Sequence, residues 1–347
     1  MKNRTLIFVG SMNLGHKPDD GETMKNVILS KALSQYVSTI KYVDVRHRPK
    51  RVLYLAYYLW CLLAKRNAKL IFSASSFVTY RLLKVAKLLG WKGEDIYYWV
   101  IGGNFGNYVT RNQISSAFYF DLKKIIVEGE TMKAQLEAEG FKNVKVLPNI
   151  KEINYVPVKL RDNRNITRFV FLSRVIPEKG VDYIVEASKR LLNEGVKNFI
   201  VDLYGSITPQ YKAMLESNLE DLPNVKYKGF LTLDNHEGYD TLAGYDTMLF
   251  PTYWPGEGFP GILIDAFIAG LPVITTDWNL NTSLVHDGSN GIIIPVHDIK
   301  ALAEKMKRVV CGKVDIDVMS MNSQRESKKY DVKNVITERL MKELEIL

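Results

Sequence analysis

The sequence predicts an α/β protein of two domains, each a parallel sheet wrapped by helices, facing one another across a cleft. Three observations carry this. The 347 residues exceed what one ordinary α/β core needs and suit two domains of about 150 residues each. Short apolar runs alternate with helically spaced segments, the pattern of a parallel sheet covered on both faces. The alternation breaks once, at Pro148-Asn149 and the polar, basic stretch 159–168, and then starts again.

In the first half, 5–10 is a short apolar strand and 22–35 has helical spacing. Strands follow at 40–45 and 70–73, a helix at 81–89, and an aromatic-rich strand at 96–101. The strand 124–127, the helix 131–139 and the strand 145–147 close the series. The second series runs 169–173, 181–194, 199–204, 209–219, 225–228, 247–251, 260–269, 273–275 and 292–294. The domains are therefore 1–150 and 151–326. Ligands of such sheets bind at the carboxyl ends of the strands, which makes the cleft the default site.

The composition is that of a soluble globular protein, 46% hydrophobic and 24% charged, with no repeat of fixed period. Cys61 and Cys311 lie far apart, which argues against a disulfide framework or a zinc site and fits a reducing cytoplasm. The apolar run 6–9 is too short for a signal peptide. The formal charge of +9 attracts anions, and it is unevenly spread. Lys41, Arg46, Arg48, Lys50 and Arg51 precede the uncharged stretch 52–64, and Lys65, Arg66 and Lys69 follow it. Thirteen residues cannot span a bilayer as a helix, which needs about 20. Two readings stand for this stretch. One lays it at a membrane surface with Tyr54, Tyr57, Tyr58 and Trp60 at headgroup level, aided by the basic amphipathic segment 81–92, so that 46–69 and 81–92 make a peripheral membrane contact. The other is a core helix with basic ends. No nucleic-acid partner is expected.

The chemistry concentrates in 246–277. A strand ends at Pro251, a loop carrying Gly256 and Gly258 follows, Pro260 suits the first helical position and Gly270 the C-terminal cap. The helix between them is apolar all round and therefore buried, with Asp265 its only polar side chain. A buried, unpaired carboxylate is expensive. Asp265 therefore needs a protein cation or a ligand that donates hydrogen bonds, such as a ribose diol. Glu257 sits just before the helix start, where backbone N–H groups and the helix dipole favour an anion such as a diphosphate. The glycines flanking it let ligand atoms approach the backbone.

Glu257 and Asp265 stand seven residues apart within Glu-Gly-Phe-Pro…Asp-Ala-Phe…Gly-Leu-Pro-Val-Ile. This resembles the Glu-(seven residues)-Glu signature of GT-B glycosyltransferases, most closely the retaining family 4 (group 1). The departure is Asp265 in place of Glu, which keeps the charge and loses one methylene. Phe-Leu-Ser-Arg-Val-Ile-Pro-Glu-Lys-Gly at 171–180 is similar to the family's donor-phosphate motif, and Asn149, Tyr204-Gly205, Lys228-Gly229 and 287–291 match further positions. The resemblance is strong over 145–305 and weaker before it. It implies two Rossmann-like domains, with a C-terminal segment of about 327–347 packing back on the first. Glu257, Arg174 and Lys179 are then catalytic, the first contacting the donor sugar and the cations neutralising the diphosphate. Asp265 binds the ribose, and Gly258, Phe259, Pro260, Gly205, Gly21 and Thr23 complete the donor site.

After the first strand, 10–25 nearly reads as a P-loop, but His16 stands where the lysine belongs and Pro18 replaces the Ser/Thr, which excludes an ATPase. In the resembled family this loop faces the donor. Gly102, Gly103 and Asn104 end a strand where many members place a histidine; these residues are sugar or acceptor contacts in its stead. Histidines 16, 47, 236, 286 and 297 lack metal-ligand spacing, and Asp315 and Asp317 form an Asp-x-Asp pair that reads as solvated. No metal or cofactor is therefore expected. The resemblance implies sugar transfer from a nucleotide-diphosphate sugar to an acceptor hydroxyl, in polysaccharide or lipopolysaccharide assembly, in the cytoplasm or at the inner face of the membrane. Two alternatives remain: a sugar-nucleotide epimerase of the same architecture, and a non-catalytic anion- or membrane-binding protein.

Overall fold

The computed structural model describes residues 5–16, 20–46, 51–64, 68–157, 165–233 and 235–347. The chain divides into two compact units: Met1–Glu152 with Tyr330–Leu347, and Ile153–Lys329. The first crossing thus falls ahead of the basic stretch 159–168. Ile150 and Tyr155, both buried, anchor the chain in the first and second unit respectively. Residues 158–164 lie outside the described residues, and Arg168 is already inside a strand.

The first unit is built from β1 (Thr5–Gly10), α1 (Gly21–Leu33), β2 (Thr39–Asp44), α2 (Arg51–Ala64), β3 (Lys69–Ser73) and α3 (Ser76–Leu88). It continues through β4 (Ile96–Trp99), α4 (Phe105–Thr110), β5 (Lys124–Val127), α5 (Glu130–Ala138) and β6 (Val144–Val146). Its strands form one sheet, β2-β1-β3-β4-β5-β6, with parallel pairing throughout. Because side chains alternate along a strand, each strand feeds two cores. Ile7, Val9, Leu70, Phe72 and Tyr98 pack with α2–α5, while Leu6, Phe8, Ile71, Tyr97 and Trp99 pack with α1 on the other face.

The second unit runs β7 (Thr167–Leu172), α6 (Val181–Asn193), β8 (Phe199–Tyr204), α7 (Pro209–Leu219), β9 (Val225–Gly229), α8 (His236–Ala243) and β10 (Thr247–Phe250). Then come α9 (Gly261–Ile268), β11 (Val273–Thr276), α10 (Asn281–Leu284), β12 (Gly291–Ile294), α11 (Ile299–Val310) and α12 (Ile316–Ser327). Its sheet is also parallel, in the order β12-β11-β10-β7-β8-β9. Asp315, read from sequence as solvated, caps α12 by accepting from the Val318 N–H at 3.0 Å. The chain returns to the first unit with α13 (Val332–Val335) and α14 (Glu338–Glu343). Val332, Ile336, Leu340, Met341, Leu344 and Ile346 are buried against the face of the first sheet that α1 also covers.

Candidate functional site

In the second unit the strand order reverses between β7 and β10, the topological switch point where α/β sheets bind ligands. The loops leaving these two strands, 173–180 and 251–260, meet there. Their approach depends on glycine. Gly180 has φ of +83°, and a Cβ on it would lie 2.2 Å from the Pro251 carbonyl oxygen. Gly205, after β8, has φ of +143°, and its Cβ would lie 1.7 Å from the Ser173 oxygen. No other residue lets the three strand-end loops close on one another. The Tyr253 N–H donates to the Glu178 carbonyl at 2.8 Å and ties the first two together.

This closure brings Lys179 and Glu257 into a short ion pair, their side chains only 7% and 10% exposed. The Thr252 hydroxyl also donates to Glu257, at 3.1 Å. Burial pushes the Lys179 ammonium below its ordinary range; the Glu257 carboxylate opposes this and the nearby Arg174 charge adds to it. Arg174 itself is exposed, its guanidinium 4.8 Å from the centre of the Trp254 ring. Among the described residues no carboxylate pairs with it. The two cations that sequence placed together thus differ in setting: Lys179 is buried beside Glu257, and Arg174 is exposed over Trp254.

Gly258, Phe259 and Pro260 lead from Glu257 into α9. Pro260 is the capping residue rather than the first helical one, with φ and ψ of −73° and 103°. Asp265 is buried, as an acid on an apolar helix must be. Its partner was not foreseen: the Tyr239 hydroxyl donates to Asp265 Oδ1 at 2.7 Å. Burial, then the Asp265 charge, push the Tyr239 phenol far up, so it stays a donor. Tyr239 stacks on Tyr155 with ring centroids 5.1 Å apart, and the Tyr155 hydroxyl donates to Asp240 at 2.8 Å. Tyr239 and Asp240 lie on α8, a helix absent from the sequence reading because 236–243 has no apolar period. Its usable signal was Asn235, which caps the helix by accepting from the Gly238 N–H at 3.0 Å.

In the first unit the switch point lies between β1 and β3. Asp44 pins the loop after β1, accepting from the Met12 and Leu14 N–H groups at 3.1 and 2.8 Å. Asn26 bridges to the carbonyls of Ser11 and Ser73 at 3.1 and 2.8 Å. Sequence reasoning missed both residues. Gly21 opens α1. The Thr23 side chain is fully buried and engaged in a capping box with Asp20. Beside it, Glu22 has one buried carboxylate oxygen without a hydrogen-bond partner. Burial pushes this carboxyl up, against the Ser11 hydroxyl. Gly102 (φ +80°) and Gly103 follow β4, and Asn104 takes the capping position of α4 without a side-chain cap bond.

Residues 166–311, which contain Arg174, Lys179, Tyr239, Glu257 and Asp265, match the family model described as glycosyl transferases group 1. The match lies wholly within the second unit and spans less than half of the chain. It is similar to the Escherichia coli UDP-Gal:alpha-D-GlcNAc-diphosphoundecaprenol alpha-1,3-galactosyltransferase, 27% identical over 207 residues, or 59% of this chain and 51% of that protein. It is also similar to the amylovoran biosynthesis glycosyltransferase AmsK of Erwinia amylovora, 29% identical over 46% of this chain and 40% of that protein. These matches span about half of the relatives' length or less. Across 99% of its residues the chain shares the fold of Anabaena Alr3699/HepE, solved in complex with UDP, with a TM-score of 0.73, 16% identity and 100% of that chain covered. The lipopolysaccharide outer core galactosyltransferase WaaB superimposes with a TM-score of 0.70 at 16% identity, over 99% of this chain and 100% of that one. The fold is GT-B, as the sequence resemblance implies.

Proposed function

We propose that this protein is a group 1, retaining glycosyltransferase that moves a sugar from a nucleotide-diphosphate sugar to a hydroxyl of a glycan or lipid-linked acceptor. Its place is cell-surface polysaccharide or lipopolysaccharide assembly, at the cytoplasmic face of the membrane. The observation that carries this is the joint setting of the second switch point: a buried Lys179–Glu257 pair, an outward Arg174, and Asp265 held by Tyr239. In this reading the sugar–phosphate bond loosens first and negative charge gathers on the leaving diphosphate. Arg174, Lys179 and the backbone N–H groups at the start of α6 receive it, so the chemistry needs no metal. Glu257 orients the sugar, Asp265 the ribose, and the acceptor attacks from the face the diphosphate leaves. The names of the E. coli and Erwinia relatives support the acceptor class.

A thermal-shift panel of UDP-, GDP- and ADP-sugars tests the donor, because a bound ligand raises apparent stability. One nucleotide class stabilises the protein, and Arg174→Ala lowers turnover of that donor about a hundredfold. Full turnover in this variant overturns the assignment. Conversion of the donor with no acceptor present favours the epimerase.

Tyr239→Phe removes one hydroxyl and keeps the stack on Tyr155. Losing a hydrogen bond to a charged group weakens donor binding roughly tenfold. KM rises and kcat holds. A fall in kcat at unchanged KM would take Asp265 away from the nucleotide.

A further inference from the structure

We propose that α2 and α3 of the first unit form a docking surface for a bilayer that carries anionic lipids. Residues 45–93 contain no Asp or Glu and 11 of the chain's 47 Lys and Arg. The rest of the chain therefore holds 36 basic residues against 38 acidic ones, and the positive excess belongs to this stretch alone.

Within it, α2 breaks the usual rule for a helix at the surface. A helix apolar on every side belongs inside a protein. Here Tyr58, Cys61 and Leu62 are buried against the sheet, yet Val52 is 80%, Leu53 68%, Trp60 51% and Leu63 56% exposed. With 100° per residue, 52, 53, 56, 60 and 63 fall on one half of the helix, and none is polar. The helix has 14 residues, a length of about 21 Å. That is too short to cross a hydrocarbon core of about 30 Å and suits lying in the interface. Trp60 stacks on Tyr57 at 5.7 Å and sits under the Lys41 ammonium at 5.9 Å, a ring with an apolar body and a cation at its edge.

The neighbouring helix supplies the charge. The Tyr58 hydroxyl donates to the Leu82 carbonyl at 2.8 Å, which seats α2 against α3. Phe77, Arg81, Lys84 and Leu88, spaced i, i+4, i+7 and i+11, make one exposed stripe of α3, two cations between two apolar ends. Arg81 has no carboxylate partner among the described residues, and Lys84 lies over the rings of Tyr80 and Phe118. Arg46, Lys69 and Lys87 pair with Asp20, Asp95 and Asp121 and add less. Arg48, Lys50, Lys65 and Arg66 contribute charge by sequence but lie outside the described residues. Aliphatic side chains in the middle of a basic field match acyl chains beneath anionic headgroups, and they match neither nucleic acid nor a dry protein interface as well. The proposal is independent of the reaction assigned above.

The full chain is pelleted with vesicles of phosphatidylcholine alone and of phosphatidylcholine with phosphatidylglycerol, at low and high salt. It binds the phosphatidylglycerol vesicles at low salt, less at high salt, and the neutral ones weakly. Leu53→Glu/Trp60→Glu and Arg81→Glu/Lys84→Glu each lower the partition coefficient by about tenfold or more. These side chains are exposed, so both variants keep the parent's circular dichroism and melting temperature. Three results overturn the proposal: no pelleting, pelleting indifferent to phosphatidylglycerol, or pelleting equal in parent and variants. A dimer in light scattering that Trp60→Glu dissolves gives the face to a second copy and overturns it too.

Discussion

In the double variant Lys179→Met/Glu257→Gln, melting temperature returns close to that of the parent while sugar transfer stays at least about a hundredfold down. The reason lies in the burial of the pair. Lys179→Met alone leaves Glu257 charged in a site where its side chain is 10% exposed, and breaking a buried pair from one side costs about 3–5 kcal/mol. Glu257→Gln alone strands the ammonium in the same way. Removing both charges takes away the unpaired ion, and most of that cost disappears. On the proposed mechanism, transfer needs the groups themselves: a cation for the departing diphosphate and a carboxylate for the sugar. Melting curves and donor turnover on the two single variants and the double separate these roles. If the double variant recovers turnover along with stability, the pair is a structural tie and the catalytic assignment fails.

Met341→Lys unfolds the first unit and spares the second. Met341 and Leu344 are fully buried, and Tyr97 of β4 donates its hydroxyl to the Leu344 carbonyl at 2.5 Å. Tyr36 reaches the Ile336 carbonyl at 3.0 Å. A charge placed among Leu6, Phe8 and Trp99 meets no partner and loses the packing of the methionine, at a cost of about 4 kcal/mol or more, a large share of one domain's stability. The milder Leu344→Ala costs about 2–5 kcal/mol. Hydrogen exchange reads the result. The amides of β1 and β3 lose protection in Met341→Lys, and those of β7 and β8 keep it. Loss of protection in both units together, or in neither, would contradict the assignment of residues 330–347 to the first core.

What the sequence made legible follows from what each segment buries. Strands of a sheet covered on both faces are continuous apolar runs, so β1, β5 and β8 are read to the residue. Short or polar helices carry no such mark. α4 has six residues, and α8 holds Gly238 and only two buried apolar residues, Leu242 and Ala243. Losing α8 meant losing Tyr239. Sequence shows that Asp265 needs a partner, but a tyrosine 26 positions earlier on an unread helix is beyond its reach. Arg174 and Lys179 are close in sequence and alike in charge. Only the three-residue turn at Pro177–Lys179 and the glycine after it turn one inward to Glu257 and leave the other over Trp254. For 52–64 the core reading holds on the inner face, where Tyr58, expected at headgroup level, is instead fully buried against the sheet; the outer face is apolar and exposed.

The return of α13 and α14 to the first sheet sets an order on synthesis. A chain emerging amino end first delivers all six strands of the first unit before any of the second. The part of that sheet's face beside α1 that awaits Leu340, Met341 and Leu344 nonetheless stays uncovered until the whole second unit has followed. The half that is started earliest is therefore finished last, and on the ribosome it is this half that presents an uncovered apolar surface to chaperones. The second unit, continuous in the chain from Ile153 to Lys329, has no such wait.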